Sequence, residues 1–204
     1  WADAVVTSPS FNLGHGPHDF TDRLPERQFE KVLQDMVYGA SRVLAMGGLL
    51  IVDATLWVGH APEPRIRLSD FIGSLAHAVG LQTVAKFHYE SVEHEPFANR
   101  GHSAREAVIA YSMLPAKTAI DSRLRPSYRF GEHQPEDVWP SDLVADLIST
   151  FGLVGKKVVD PFAGEAALPL EVYRLGGKVV CFEISRSRAQ IIRDRLAQLD
   201  KCDD

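Results

Sequence analysis

Two stretches of this chain combine residue types that could hold a ligand and the group that reacts with it. Near the N-terminus, the apolar run Ala4-Val5-Val6 ends in Thr7-Ser8-Pro9-Ser10-Phe11. Proline fixes its own φ and stiffens a turn. This loop can therefore present a fixed backbone carbonyl at Pro9 together with an aromatic platform at Phe11. Far downstream, Lys157-Val158-Val159-Asp160 is followed by Pro161-Phe162-Ala163-Gly164. A strand, a tight glycine turn and a helix put a loop at the carboxyl end of a strand, where open parallel sheets bind ligands. Gly164 lets the backbone approach such a ligand closely. The next strand-like run ends at Glu183, nineteen residues past Gly164. An acidic residue about 20 residues on is the usual partner of ribose hydroxyls, since a carboxylate accepts both hydroxyl hydrogens. The pattern is that of a nucleotide site, but the Gly-x-Gly-x-x-Gly of nicotinamide sites is absent. Each stretch also has a plain reading. Ser-Pro pairs are common in surface turns, and Gly164 could serve only a tight strand-to-helix turn.

The elements that must position these loops can be read from periodicity. Between Glu26 and Leu44, apolar residues recur at Phe29, Val32, Leu33, Met36, Val37 and Ala40, the spacing of a helix with one buried face. Gly47-Gly48 is expected to end that helix. Leu49 to Val52 is a continuous apolar run of the kind buried on both faces of a parallel sheet. A second helix is expected over Leu68 to Val79, closed by Gly80. Strands are expected at Gln82 to Tyr89 and Ala107 to Tyr111. Leu114 to Pro140 contains four prolines and little periodicity, and reads as an irregular insertion. Ser141 is placed to cap a helix through Thr150. Strand Lys157 to Asp160, helix Glu165 to Leu175, strand Lys178 to Glu183 and helix Ser185 to Leu199 complete the order. This alternation predicts an α/β doubly wound, mostly parallel sheet, with strands 82–89 and 107–111 as an antiparallel edge pair.

The chain has 204 residues, 45% hydrophobic and 24% charged, enough for one domain with a real core. It begins Trp1-Ala2-Asp3, without Met, and enters a strand almost at once, so an upstream extension is expected. Net charge is −5, which gives no global attraction to nucleic acid. Any such contact must use a local basic patch or another domain. Cys181 and Cys202 show no metal-type spacing, and Cys181 reads as a buried thiol in a strand. No apolar run approaches the ~18 residues needed to span a bilayer, and no signal peptide is visible, so a cytoplasmic protein is expected.

The two loops together resemble those of S-adenosylmethionine-dependent amino DNA methyltransferases, the cytosine-N4 and adenine-N6 type. Thr7 to Phe11 resembles their Ser-Pro-Pro-Tyr catalytic loop. Asp160 to Gly164 resembles the start of their Asp-Pro-Phe-x-Gly-x-Gly cofactor loop. The catalytic loop precedes the cofactor loop, the permuted order of the beta-type members. Asn12-Leu13-Gly14 and Arg42-Val43-Leu44 with Gly47-Gly48 extend the likeness. The resemblance implies a class I methyltransferase-like fold, S-adenosyl-L-methionine as cofactor and DNA as partner, with a flipped base as target and a role in DNA methylation or restriction-modification. It implies that Ser8 and Pro9 contact the target amine by side chain and carbonyl, and that Phe11 stacks on the base. It implies that Asp160, Pro161, Phe162, Ala163 and Gly164 line the methionine half and that Glu183 takes the ribose. Ser preceded by Thr at the first catalytic position is most typical of cytosine-N4 enzymes.

This sequence departs from the pattern in three places. Ser10 stands for the second Pro, Ala166 for the second loop Gly, and Glu165 for the small residue before it. Ala166 is expected to need ordinary backbone angles, and Glu165 to bring negative charge towards the cofactor's carboxylate. His133-Gln134-Pro135 with Trp139-Pro140 resembles the stretch that encloses the methionine part, which makes His133 a cofactor-site candidate beside its reading as a loop histidine. Lys117, Arg123, Arg125 and Arg129, interleaved with Tyr128 and Phe130, suit phosphate contact and base stacking. They occupy the slot of a target-recognition insertion, here 114–140. A solvated basic loop is the alternative. Two other functions compete: a methyltransferase-like domain that binds nucleic acid or a partner without catalysis, and an RNA or small-molecule amino methyltransferase.

Overall fold

The computed structural model describes residues 1–9, 24–55, 68–93, 104–114, 120, 123–130 and 139–200. Seven strands form one sheet: β1 (Ala2–Thr7), β2 (Leu44–Thr55), β3 (Gln82–Glu93), β4 (Ala104–Ser112), β5 (Ser127–Phe130), β6 (Lys157–Asp160) and β7 (Lys178–Cys181). Their spatial order is β5-β3-β4-β2-β1-β6-β7. The pairs β2–β1, β1–β6 and β6–β7 are parallel, and so is β3–β5. β4 is antiparallel to both of its neighbours, β2 and β3. Six strands therefore share one direction, and β4 alone is reversed.

Five helices join them: α1 (Glu26–Val43), α2 (Leu68–Ala78), α3 (Ser141–Phe151), α4 (Ala167–Arg174) and α5 (Arg186–Leu199). Successive strand side chains point to opposite faces, and the core divides accordingly. Val5, Leu50 and Val52 face α1 and α2, meeting Phe29, Leu33, Val37, Leu68 and Ile72. Val6 and Ile51 face the other way, meeting Leu143, Leu147, Ile148, Leu168 and Val172 of α3 and α4. Both faces of the central strands are covered, as their unbroken apolar runs require. α5 packs by Ile192 and Leu196 against Ala163, Ala166 and Leu170. Among the described residues, no helix is long and apolar enough to cross a membrane.

The expected doubly wound sheet and its antiparallel pair are present, with instructive differences. Gly47-Gly48 does not terminate α1, because β2 begins directly at Leu44. The glycines instead lie in a bulge, where pairing jumps from Ala2↔Leu44 to Ala4↔Leu49. Gly47 takes φ +80°, and a Cβ on Gly48 would stand 3.0 Å from the Asp3 carbonyl oxygen. The antiparallel pair is not the sheet edge, since β5 adds outside β3. That strand is only four residues long and lies among prolines, so periodicity could not reveal it. Ser141 is the first residue of α3 rather than its cap, a place held by Pro140. Ser185, by contrast, caps α5, accepting a bond from the Arg188 amide. Cys181 is half-buried and free, and burial pushes its thiol up to about 12.

Gly177 fixes how α4 returns to β7. A Cβ there would stand 2.5 Å from Val172 Cγ1 and 2.7 Å from the Lys156 carbonyl oxygen. Overpacking of this kind costs about 1–3 kcal/mol. Gly177→Ala is therefore expected to lower the urea unfolding midpoint by that amount of stability, as followed by circular dichroism.

Candidate active site

β1 and β6 are parallel neighbours, so their carboxyl ends emerge side by side. Ser8-Pro9 continues from one and Pro161-Phe162 from the other. The chain runs outward from β1 through β2 on one side, while β6 and β7 lie on the other. This is a topological switch point, the place where open α/β sheets form their ligand crevice. One oxygen ties the two loops together. Asp160 Oδ1 accepts a bond from the Thr7 hydroxyl at 2.8 Å and another from the Phe162 amide at 3.0 Å. Thr7 and Asp160 are both buried. Ser8 is half-buried and Pro9 is buried. Ser10, Phe11 and His133 lie outside the described residues, and so does Lys117.

The cofactor-type loop is fastened to β7 as well. The Phe182 amide donates to the Asp160 carbonyl at 2.9 Å, and the Ala163 amide donates to the Phe182 carbonyl at 3.0 Å. Phe162 packs partly buried against the α1 and α2 side of the core. Glu183 then stands beside the loop, its Oε1 held by the Ser185 amide at 2.7 Å. Two carboxyl groups thus lie near enough to interact, Asp160 buried and Glu183 half-buried. Burial, and next the charge of Glu183, push Asp160 up to about 7, against the opposing pull of the Phe162 amide and the Thr7 hydroxyl. On either side of Glu183, Phe182 and Ile184 expose apolar side chains to solvent, Ile184 by 72%. Sequence reading missed this pair, although both flank the acidic residue at the end of an apolar run.

The two departures in the loop have structural answers. Ala166 is the one non-glycine with positive φ among the described residues, at φ 57° and ψ 38°. It adopts the left-handed conformation that a glycine would, contrary to the ordinary angles expected of it. The helix α4 consequently starts at Ala167 rather than Glu165. Glu165 points its charge at α5: its Oε2 meets Arg195 Nη2 at 2.6 Å, and its carbonyl oxygen accepts from Arg195 Nη1 at 3.0 Å. Beside Gly164, at φ +54°, an added Cβ would meet no atom of the described residues within 4 Å, so among them open space adjoins the turn.

The basic residues divide. Arg125 donates from Nη1 to Asp142 at 2.9 Å and lies 3.1 Å by Nε from Asp146, both on α3. Its amide donates to the Tyr128 hydroxyl, which donates to Asp146. Arg123 and Arg129 keep exposed side chains with no ion pair among the described residues. Arg129 leaves β5 on the face opposite the buried Tyr128. Four strand spacings separate β5 from β1, and Arg129 pairs beside Val92, about six residues beyond the level of Thr7, so it stands well away from the crevice both across and along the sheet.

Two outcomes are expected from this geometry. A left-handed residue with a Cβ costs about 1–2 kcal/mol, while the buried methyl of Ala166 contributes about 0.8 kcal/mol. Ala166→Gly should leave the unfolding midpoint unchanged or raised, whereas Ala189→Gly within α5 should lower stability by about 1 kcal/mol. Asp160, raised from 3.8 to about 7, binds a proton more tightly folded than unfolded. Its contribution to stability is full below the unfolded value and fades as pH rises through about 7. The melting temperature of the wild type, relative to Asp160→Asn, should therefore fall by calorimetry as pH rises from about 4 to about 7, and level off above that.

No protein-family model matches the sequence, and no curated protein matches it significantly. Solved structures do. PvuII DNA methyltransferase, cytosine-N4-specific, superposes with a TM-score of 0.70 at 17% identity, over 94% of this chain and 78% of that one. A Thermus thermophilus protein described as a DNA modification methylase, complexed with S-adenosyl-L-methionine, gives 0.66 at 20% identity, over 96% and 85%. M1.HpyAVI in its SAM complex gives 0.62 at 15% identity, over 96% and 88%. At these identities the likeness is one of fold, and the chain has the fold of these proteins.

Proposed function

We propose that the protein is an S-adenosylmethionine-dependent DNA methyltransferase that methylates an exocyclic amino group of a flipped base, cytosine N4 before adenine N6. The observation that carries this reading is the 2.8 Å bond from Thr7 to Asp160, which draws a Ser-Pro loop and an Asp-Pro-Phe-Ala-Gly loop into one crevice from positions 153 residues apart.

The residues present fit the cofactor. Open space beside Gly164 suits close approach of the methionine part to the backbone. The carboxyl groups of Asp160 and Glu183 suit its ammonium, its sulfonium and the ribose hydroxyls. The exposed side chains of Phe182 and Ile184 offer apolar faces to an adenine ring. When bound, the cofactor supplies an electrophilic methyl group. The chain's own part is to make the amine a better nucleophile and to aim it. Ser8 and the Pro9 carbonyl accept hydrogen bonds from the amino hydrogens, which returns lone-pair density to the nitrogen. Phe11 stacks on the extruded base. The amine proton leaves through water. Arg123 and Arg129 take phosphates, while Arg125 orders their segment against α3.

Ser8 after Thr7 supports cytosine N4, as does the likeness to a cytosine-N4-specific enzyme. Glu165 paired to Arg195 and Ala166 in a glycine-like conformation favour an active site over an impaired one, because neither departure obstructs the crevice. The deciding measurement is tritiated methyl transfer to duplex DNA, single-stranded DNA and RNA, followed by nucleoside analysis. N4-methylcytosine in DNA is expected. Label only in RNA would overturn the DNA assignment, and absence of both cofactor binding and label would leave a binding domain.

A further inference from the structure

The two loops of the crevice are held in register by a side chain, where backbone pairing has already stopped. The ladder from β1 to β6 pairs Ala4 with Val158 and Val5 with Val159, and extends no further. On its other side, β1 stays paired with β2 as far as Thr7↔Val52. The last two residues of β1 thus have no ladder partner on β6, although the catalytic-type loop begins there. The Thr7 hydroxyl spans that gap to Asp160 Oδ1, the same atom that holds the Phe162 amide of the opposite loop.

We propose that Thr7 is a positioning residue for methyl transfer: its bond to Asp160 sets the distance and orientation of the Ser8-Pro9 loop relative to the Asp160–Gly164 loop. This rests on the methyltransferase reading above, where the bond marks the site, and adds that the Thr7 hydroxyl governs the rate of transfer. A β-branched side chain in a strand has a restricted χ1, which narrows the directions open to the hydroxyl. If packing alone mattered at this fully buried strand position, valine would fill the same volume and suit the strand equally well. The feature that threonine adds is the hydroxyl, and its partner is the first residue of the cofactor-type loop. Misplacement of reacting groups by about 1 Å costs on the order of a hundredfold in rate, so a clamp at this point acts on turnover before it acts on affinity.

The test compares wild type, Thr7→Val and Thr7→Ser in S-adenosylmethionine titration by calorimetry and in single-turnover methyl transfer to DNA at saturating cofactor. Thr7→Val is expected to slow transfer at least about tenfold while moving the cofactor Kd by less than about threefold. Thr7→Ser, which restores the hydroxyl, should remain within about threefold of wild type in both. Should Thr7→Val not fold, Thr7→Ala removes the same hydroxyl with a smaller side chain and carries the same expectations. An unchanged rate without the hydroxyl overturns the proposal, as does equal impairment of the Val and Ser variants. Loss of cofactor affinity in parallel with rate also overturns it, by assigning Thr7 to cofactor binding. A wild-type protein that methylates no nucleic acid removes the methyltransferase reading and this role together. An active wild type with an unaffected Thr7→Val variant removes this role alone.

Discussion

A buried carboxyl group at the end of β6 is the constraint around which the crevice is arranged. Asp160 has left water, and burial of a charge is tolerated only where hydrogen bonds compensate. Two arrive at one oxygen, from Thr7 and from the Phe162 amide. The first comes from the neighbouring strand and the second from the turn that follows. The same residue's carbonyl takes the Phe182 amide across to β7. One residue thereby joins three consecutive strands at their carboxyl ends. Opposed to these bonds are its burial and the charge of Glu183, which together hold its pKa near neutrality, at about 7. A carboxyl group poised in this way responds to any positive charge brought into the crevice, since such a charge favours the ionised form.

That arrangement depends on a chain order in which β1 and β6 become neighbours. The β1–β6 contact closes the sheet between residues 153 positions apart, and it creates the switch point at which the loops diverge. Neither loop forms a crevice by itself. The bulge at Gly47-Gly48 belongs to the same construction. It lets β2 turn directly out of α1 and still bring Val52 level with Thr7.

Much of this was legible in the sequence, because strand runs, helix periodicity and loop motifs are local properties. The runs of β1, β2 and β6 marked themselves as strands, that of β2 as one buried on both faces. The spacing of Phe29, Leu33, Met36, Val37 and Ala40 marked the inner face of α1. What escaped was set by contacts between distant segments. Glu165 looked like an unfavourable charge, and only the position of α5 supplies its Arg195 partner. Ala166 looked like a residue for ordinary angles. Its left-handed conformation is imposed where the turn after Gly164 must swing into α4, with Ala166 buried against α5. Arg125 looked like one of four equivalent basic side chains until α3 brought Asp142 and Asp146 against it.

The fate of Arg125 bears on how an acidic protein could meet DNA. With a net charge of −5, long-range attraction does not guide nucleic acid to the proposed site. Contact must be local. The short strand β5 is fixed to the sheet by a polar chain running from Asp53 through Tyr89, with Tyr89 edge-on to Tyr128 at 5.2 Å, and on through Asp146 to Arg125. The exposed ion pairs of Arg125 contribute little stability by themselves, but they order the backbone between Arg123 and Arg129. Those two guanidinium groups are thereby presented from an ordered segment at the sheet edge opposite β7.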